Sequence, residues 1–420
     1  MDPNAWGRHW RDLPEIHVSD VTAFLRCRRA WNWSSRLRSN LEPIRPYSPF
    51  VLGRAVHEAA EKLHASGNVP TDSINTFFDE ELAVLTAAHP GAASYLADDA
   101  GGGAHGPVAL AKAASDEEWL SGDATILTSA SLVADDLRML EEQRELALGM
   151  LEHLAAWEKR QRGPFSLANL EFLTLEQDFK VPIVHPLTGE VNLLACFAGR
   201  WDGLVRRRDN GDVYIWELKT TKSIGHRAKM LSNDIQCSYY LNAARMAFPE
   251  LAGQLKGMLY TLMAKRLPKA PKVLNSGMLS TDIRGQSFES YVAWCDRHHG
   301  LRDTMTDDER RTFLGNNYGA PLLALRDSTL PDNIFFERHV VARNATALER
   351  AAQDLWDQTA NMTNAQLSLY PTPDYSCSWC LFYEPCIALQ NGEDADSLLK
   401  TLYRNRTQHA GDSDADDDTR

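Results

Sequence analysis

Between Phe197 and Leu218 the chain sets charged side chains where a β-sheet should bury apolar ones. The runs Phe197–Val205 and Val213–Leu218 are apolar, and the segment joining them, residues 206–212, contains Asn210-Gly211, a strong hairpin signal. Asp202 lies in the first run, Glu217 in the second, and Lys219 follows at once. Tyr214, Ile215, Trp216 and Leu218 argue against an exposed strand, so these charges are expected to be buried. Burial of a charge costs several kcal/mol unless it is paired or binds a metal. A two-residue loop at Asn210-Gly211 predicts Asp202 opposite Lys219 and Leu204 opposite Glu217. Glu217 and Lys219, two apart, then share a face. Asp202 joins that face as the diagonal neighbour of Glu217, about 7–8 Å away. A three-residue loop would send Asp202 to the other face. Two carboxylates and an ammonium on one face are most simply explained as a divalent-metal site for phosphate chemistry; a plain surface salt bridge is the lesser alternative.

At 420 residues the chain is long enough for two or three domains, and its 44% hydrophobic and 24% charged content is that of a globular protein. No run of eighteen apolar residues occurs, and Met1-Asp2-Pro3-Asn4 does not open a signal peptide. The expectation is a cytoplasmic protein with no membrane partner. The net charge of −13 excludes a broadly basic nucleic-acid coat. Part of it comes from residues 411–420, which hold five Asp and one Arg. Local positive charge remains at Arg26, Arg28 and Arg29, at Arg36 and Arg38, at Arg206 to Arg208, and at Lys265, Arg266, Lys269 and Lys272. Such clusters can track a phosphate backbone, although each alone is more often a solvated face.

The fold class expected is α/β, a mixed central sheet flanked by helices and carrying two largely helical insertions. Residues 16–66 form the N-terminal part of the core, with Ser19-Asp20 as a helix cap and a second helix over 50–64. Residues 67–165 read as a helical insertion with a glycine-rich loop from Gly101 to Gly106. Residues 166–265 carry strands over 173–184, 191–205 and 213–220, a helix from about 233 to 247, and a strand over 257–264. Residues 266–333 read as a second insertion with a helix near 286–299. Residues 334–390 return to the core with a strand over 334–341 and a helix over 345–362, and residues 391–420 read as an acidic disordered tail.

Four motifs occur in one order: Gly53-Arg54-Ala55-Val56-His57, Gly199-Arg200-Trp201-Asp202-Gly203, Glu217-Leu218-Lys219-Thr220 and Gln236-Cys237-Ser238-Tyr239-Tyr240. They resemble the G-x-x-x-H, G-x-x-D, E-x-K and Q-x-x-x-Y motifs of the RecB-like branch of the PD-(D/E)XK nuclease superfamily. The resemblance covers roughly half the chain and implies a restriction-endonuclease-like core. It implies that His57, Asp202, Glu217 and the Leu218 carbonyl hold Mg²⁺ or Mn²⁺. An imidazole ligand suits Mn²⁺ in particular. Lys219 would orient or deprotonate the attacking water, and Gln236 and Tyr240 would position the substrate strand and Lys219.

Seven cysteines are present, at 27, 196, 237, 295, 377, 380 and 386. Cys377, Cys380 and Cys386 form C-x₂-C-x₅-C among Trp379, Phe382 and Tyr383, which inside a cell suggests a metal site rather than disulfides. The fourth ligand is expected to be Cys27. The pattern resembles the iron–sulfur RecB-like nucleases of AddAB-type helicase–nucleases and CRISPR-associated exonucleases. In those, one cysteine before the core and three after it hold a four-iron four-sulfur cluster, here joining the N- and C-terminal parts. Zn²⁺ is the alternative occupant. The function implied is a metal-dependent DNA exonuclease on single-stranded ends, serving recombination, repair or end processing. Two other readings are a catalytically silent nuclease-fold module that binds DNA or a helicase, and a zinc-stabilised adaptor. No G-x-x-x-x-G-K-[ST] occurs, so any helicase or recombination activity would belong to a partner.

Overall fold

The computed structural model describes residues 9–44, 48–88, 124–275, 280, 282, 284–299, 306 and 334–406. Its centre is a six-stranded mixed sheet built from β1 (Glu15–Ile16), β3 (Leu170–Val184), β4 (Val191–Arg207), β5 (Val213–Thr221), β6 (Leu255–Ala264) and β7 (Phe336–Val341). The long strand β4 organises it. One edge of β4 pairs antiparallel with β3 along most of its length. The other edge takes β1 in parallel at Cys196 and Phe197, then β5 antiparallel from Gly203 to Arg206. Strand β5 continues in parallel with β6, and β6 runs antiparallel to β7. Residues 198–202 of β4 therefore have no strand partner on their β5 side among the described residues.

Helices cover both faces. On one face, α1 (Val18–Arg26), α7 (Ile235–Ala247) and α9 (Ala345–Met362) pack against Phe179, Phe197, Trp201, Ile215 and Tyr260. On the other face, α3 (Ser48–Ser66), α4 (Thr71–Ala88) and α5 (Ala124–Arg160) bury Val56, Phe78, Leu140 and Leu154 with Leu218, Met263 and Phe336 of the sheet. The alternation in β5 and β6 assigns the faces: Ile215, Tyr260 and Leu262 go to one core, Leu218 and Met263 to the other. Among the described residues no helix is long and apolar enough to cross a membrane.

Several sequence expectations are corrected. Ser19-Asp20 is not the N-cap of the first helix. The chain forms β1, α1 and α2 (Arg28–Ser34), and breaks between the helices at Cys27, whose φ of −157° and ψ of 113° are extended. The cap of α1 is His17, whose backbone N donates to Asp20 Oδ2 at 3.1 Å. Asp20 caps from inside the first turn, the reciprocal arrangement that a capping box uses. The C-terminal segment is also more ordered than a disordered tail from 391 implies. After α10 (Tyr383–Asn391), residues 395–402 form α11, capped by Asp394, and β8 (Tyr403–Asn405) pairs antiparallel with β2 (Leu41–Pro43). Arg404 bonds Glu42 at 2.9 Å, and the Tyr403 hydroxyl donates to Leu381 O at 2.6 Å. The glycine-rich loop at 101–106 and the acidic residues 411–420 lie outside the described residues. Of the second expected insertion, helix α8 (Phe288–His299) is described; it packs against α5.

Candidate active site

The β4–β5 hairpin does not turn at Asn210-Gly211 alone. Arg207 N donates to Asp212 O at 2.8 Å and Gly211 N to Arg207 O at 2.9 Å, closing a four-residue loop. Gly211 takes a φ of +77°, the left-handed value that glycine adopts without cost. The register pairs Leu204 with Ile215 and Gly203 with Trp216, two residues away from the expected pairing. Pairing ends there, and the two strands part as Asp202 and Glu217 begin.

The expectation that Asp202, Glu217 and Lys219 share one face is corrected as well. Strand β3 carries an extra residue between Phe172 and Thr174, opposite Val205 and Leu204. Separately, Trp201 and Leu204, three apart, enter the same core, so β4 itself slips in its alternation beside Asp202, opposite Glu176 with its φ of +42°. Gly203 permits the slip: a Cβ there would lie 2.9 Å from the Thr174 carbonyl oxygen. Glu217 and Lys219 project toward α7. Asp202 instead lines a small cavity on the α3 side with His57, Glu61, His64, Glu176, Trp216 and Leu218. Its carboxylate fills the opening between the strands, Oδ2 accepting from Leu218 N at 2.7 Å.

Two half-sites thus meet across one peptide. In the first, His57 Nδ1 lies 3.7 Å from Asp202 Oδ2, too far for a hydrogen bond, and is buried with no hydrogen-bond partner among the described residues. Burial of Asp202 favours its neutral form, but His57, the Leu218 N–H and Lys219 outweigh that and hold the carboxyl below its usual range. In the second, Glu217 Oε1 accepts from Gln236 Nε2 at 2.9 Å and lies 2.8 Å from Lys219 Nζ. Burial opposes the charge on Lys219, yet Glu217 overcomes it and drives the lysine pKa upward, so Lys219 stands as an ammonium. An ammonium donates hydrogen bonds and positive charge; it does not take a proton from water.

Gln236 and Tyr240 do not face outward. Gln236 is 4% exposed and Tyr240 fully buried. Tyr240 donates through its hydroxyl to Arg200 O at 3.1 Å, satisfying a carbonyl on the stretch of β4 that lacks a strand partner. The Q-x-x-x-Y helix therefore holds Glu217 and the β4 backbone in place from behind.

The helix is itself anchored by Asp234, a residue no motif pointed to. Asp234 Oδ1 caps α7 by accepting from Gln236 N at 3.0 Å, and Oδ2 accepts from the Tyr260 hydroxyl at 3.1 Å and from Arg227 Nη2 at 3.2 Å. Asp234→Ala is expected to cost about 1–3 kcal/mol, from the lost cap and the stranded Tyr260 hydroxyl. Urea unfolding checks this; a loss below about 0.5 kcal/mol, the scale of ordinary surface changes, would show the anchor to be unimportant.

Glu61 and Glu176 were also absent from the motif set. Glu61 stands one turn beyond His57, a spacing visible in the sequence. Glu176 has a φ of +42° within β3, which nothing in the sequence signals. Burial pushes the Glu176 carboxyl up to about 9, with Asp202 and Glu61 adding to the shift and Arg200 opposing it. Burial likewise holds His64 down to about 4, a neutral ring between Phe172 and Trp216. A carboxylate-rich recess with a buried imidazole nitrogen left without a hydrogen bond is chemically suited to a hard divalent cation. Among the described residues, no three His, Cys, Asp or Glu side chains converge closely enough to hold an ion without adjustment.

The cysteines gather elsewhere. Cys27, Cys377, Cys380 and Cys386 line one cavity of about 280 Å³, with Trp33 and Trp379 in its wall. Burial raises the Cys380 thiol pKa, and Cys27, Cys377 and Cys386 raise it further, so the four lie within mutual electrostatic reach. Arg29 Nη1 donates to Cys386 Sγ at 3.5 Å. The break at Cys27 is what brings a residue from between two helices to this cavity. Cys196, Cys237 and Cys295 are buried apart from it.

The family model described as the PD-(D/E)XK nuclease superfamily matches residues 15–386. No curated protein matches the chain.

Proposed function

Because the chain belongs to the PD-(D/E)XK nuclease superfamily, whose members typically use Mg²⁺ or Mn²⁺, we propose that it is a metal-dependent deoxyribonuclease acting as an exonuclease on single-stranded DNA ends. Recombination, repair or end processing, beside a helicase or recombination partner, is the setting that fits such an activity. The observation that carries the reading is the pair of half-sites at the point where β4 and β5 part: His57 against Asp202, and Gln236 and Lys219 against Glu217. A binding-only module gains nothing from burying those charges.

His57, Asp202, Glu217 and the Leu218 carbonyl would hold the cation. When bound, Mg²⁺ or Mn²⁺ supplies an acidified water and Lewis-acid stabilisation of the phosphate. Lys219 holds its ammonium 2.8 Å from Glu217, on the α7 side of that peptide, and would stabilise negative charge growing on the phosphate oxygens. Gln236 keeps Glu217 from swinging away, and the apolar walls of Trp216 and Leu218 keep bulk water out. The test is cleavage of end-labelled single-stranded, double-stranded and circular DNA with Mg²⁺ or Mn²⁺. Release of nucleotides from linear single strands, with circles spared, is the expected pattern. DNA binding without metal-dependent cleavage would instead identify a silent module.

Cys27, Cys377, Cys380 and Cys386 are proposed to ligate a four-iron four-sulfur cluster. The donor set fits: four thiols share one cavity, with soft ligands suited to iron–sulfur chemistry. Zn²⁺, which takes the same four thiolates, is the competing occupant. Cys27→Ala is expected to lose the iron and the broad visible absorbance of protein purified without oxygen, and to melt at lower temperature. The β2–β8 ladder would still tie the chain ends together, so the variant should remain folded. Full iron content in that variant overturns the ligand assignment, and colourless, zinc-loaded wild-type protein overturns the cluster.

A further inference from the structure

The basic clusters that stand out in the sequence are largely committed within the fold. Arg206 pairs with Glu171 at 3.6 Å and Arg207 with Asp209 at 2.6 Å, while Arg208 donates to Leu170 O at 3.2 Å. Arg38 donates to Met362 O at 2.8 Å. A different set remains open. Helix α6 (Ile224–Met230) leaves directly from the end of β5, and Lys222, His226 and Lys229 on and beside it are exposed. None of the three side chains has a hydrogen bond or ion pair among the described residues.

We propose that Lys222, His226 and Lys229 form a phosphate-tracking edge that carries the backbone of a single-stranded DNA end to Glu217 and Lys219. The inference rests on the nuclease reading above and adds where the strand lies. Lys222 is three residues beyond Lys219, at the bend that follows the end of β5 at Thr221, so the two lie at most about 10 Å apart along the chain. The inner side of α6 is fixed: Ile224 is buried, and Arg227 turns inward to Asp234 at 3.2 Å. His226 and Lys229, one turn apart, therefore share the outer side. Gly225 opens that side further, since a Cβ there would meet nothing within 4 Å. Against a net charge of −13, an uncompensated basic edge beside the half-sites is complementary to one partner chemistry, a polyanion threading toward them.

The test is Lys222→Glu/Lys229→Glu, built on full-length Lys219→Ala protein so that DNA is not consumed. Binding of a labelled oligothymidine is measured over a series of salt concentrations. The double change should weaken binding by about tenfold or more and flatten the log–log salt slope by about 1.4, two phosphate contacts' worth for a single strand. A control with the same charge change on exposed residues elsewhere, Lys256→Glu/Lys400→Glu, should keep the parental slope. Unchanged binding in the first variant, or equal loss in both, overturns the edge. If the parent fails to bind DNA at all, the nuclease reading falls with it. If the parent binds and the edge variant binds equally, the edge alone falls.

Discussion

Lys219→Ala is expected to lower metal-dependent DNA cleavage by about 10²–10³-fold, the usual cost of removing one donor aimed at developing charge. Three features support so large an effect. Lys219 is only 7% exposed, so its charge acts with little screening by water. Its Nζ is held 2.8 Å from Glu217, and Glu217 keeps it protonated in spite of burial. The neighbouring cation Arg227, whose charge opposes that of Lys219, is itself turned to Asp234. The loss should fall on kcat, because the interaction strengthens as the phosphate gains charge. Glu217 keeps its bond from Gln236, so the variant should still fold. Initial rates on end-labelled single-stranded DNA, with a thermal melt as a folding control, make the measurement. Cleavage equal to wild type in a folded variant would remove Lys219 from the mechanism.

Arg338→Met is expected to destabilise the protein by about 3–5 kcal/mol, the cost of leaving one member of a buried ion pair alone. Arg338 on β7 pairs with Glu158 of α5, bonds Phe165 O at 2.6 Å, and lies between the rings of Trp157 and Trp216 at 5.0 and 4.7 Å. It ties the helix of the first insertion to the strand that carries Glu217. Glu158 is 5% exposed, and burial raises its pKa even with the arginine present. Without Arg338 that pKa rises further. A carboxyl with a raised folded pKa binds more protons folded than unfolded, so its cost appears above the unfolded value of about 4.3 and grows as pH rises. Urea unfolding of Arg338→Met should show the deficit largest in alkaline buffer and shrinking in acid. Arg338→Met/Glu158→Leu should recover much of the loss, since an apolar pair can replace a buried ionic one. A deficit that is independent of pH and unchanged in the double variant would assign the effect to packing alone.

The site was partly legible in the residues. Apolar runs around Asp202 and Glu217 gave β4 and β5 to within two residues at either end, and the spacing of Gln236 and Tyr240 placed both on one helix. The hairpin register was not legible. Asn-Gly marks a turn, but whether the loop holds two or four residues depends on how β3 and β4 pair beyond it. Glu176 was invisible because its strained φ is imposed by neighbours rather than by its own type. The Arg338–Glu158 pair joins residues 180 apart, and no local pattern couples such positions. The C-terminal β8 was hidden by the acidic residues on both sides of it, Glu393, Asp394 and Asp396 before it and the five Asp of 411–420 after it.

The sequence by itself determined which groups are present and which must be buried: apolar alternation and the cost of burying charge drew Asp202, Glu217 and Lys219 into a sheet before any coordinates were known. It also placed three cysteines, Cys377, Cys380 and Cys386, within ten residues of one another. Tertiary structure alone decided how these groups meet. A slip in the alternation of β4 turned Asp202 to the α3 side, beside His57, while Glu217 and Lys219 kept to the α7 side, and the parting of β4 from β5 left a single peptide between them. Side-chain type follows from the gene, but the face a strand residue occupies depends on a register that every neighbouring strand helps to set.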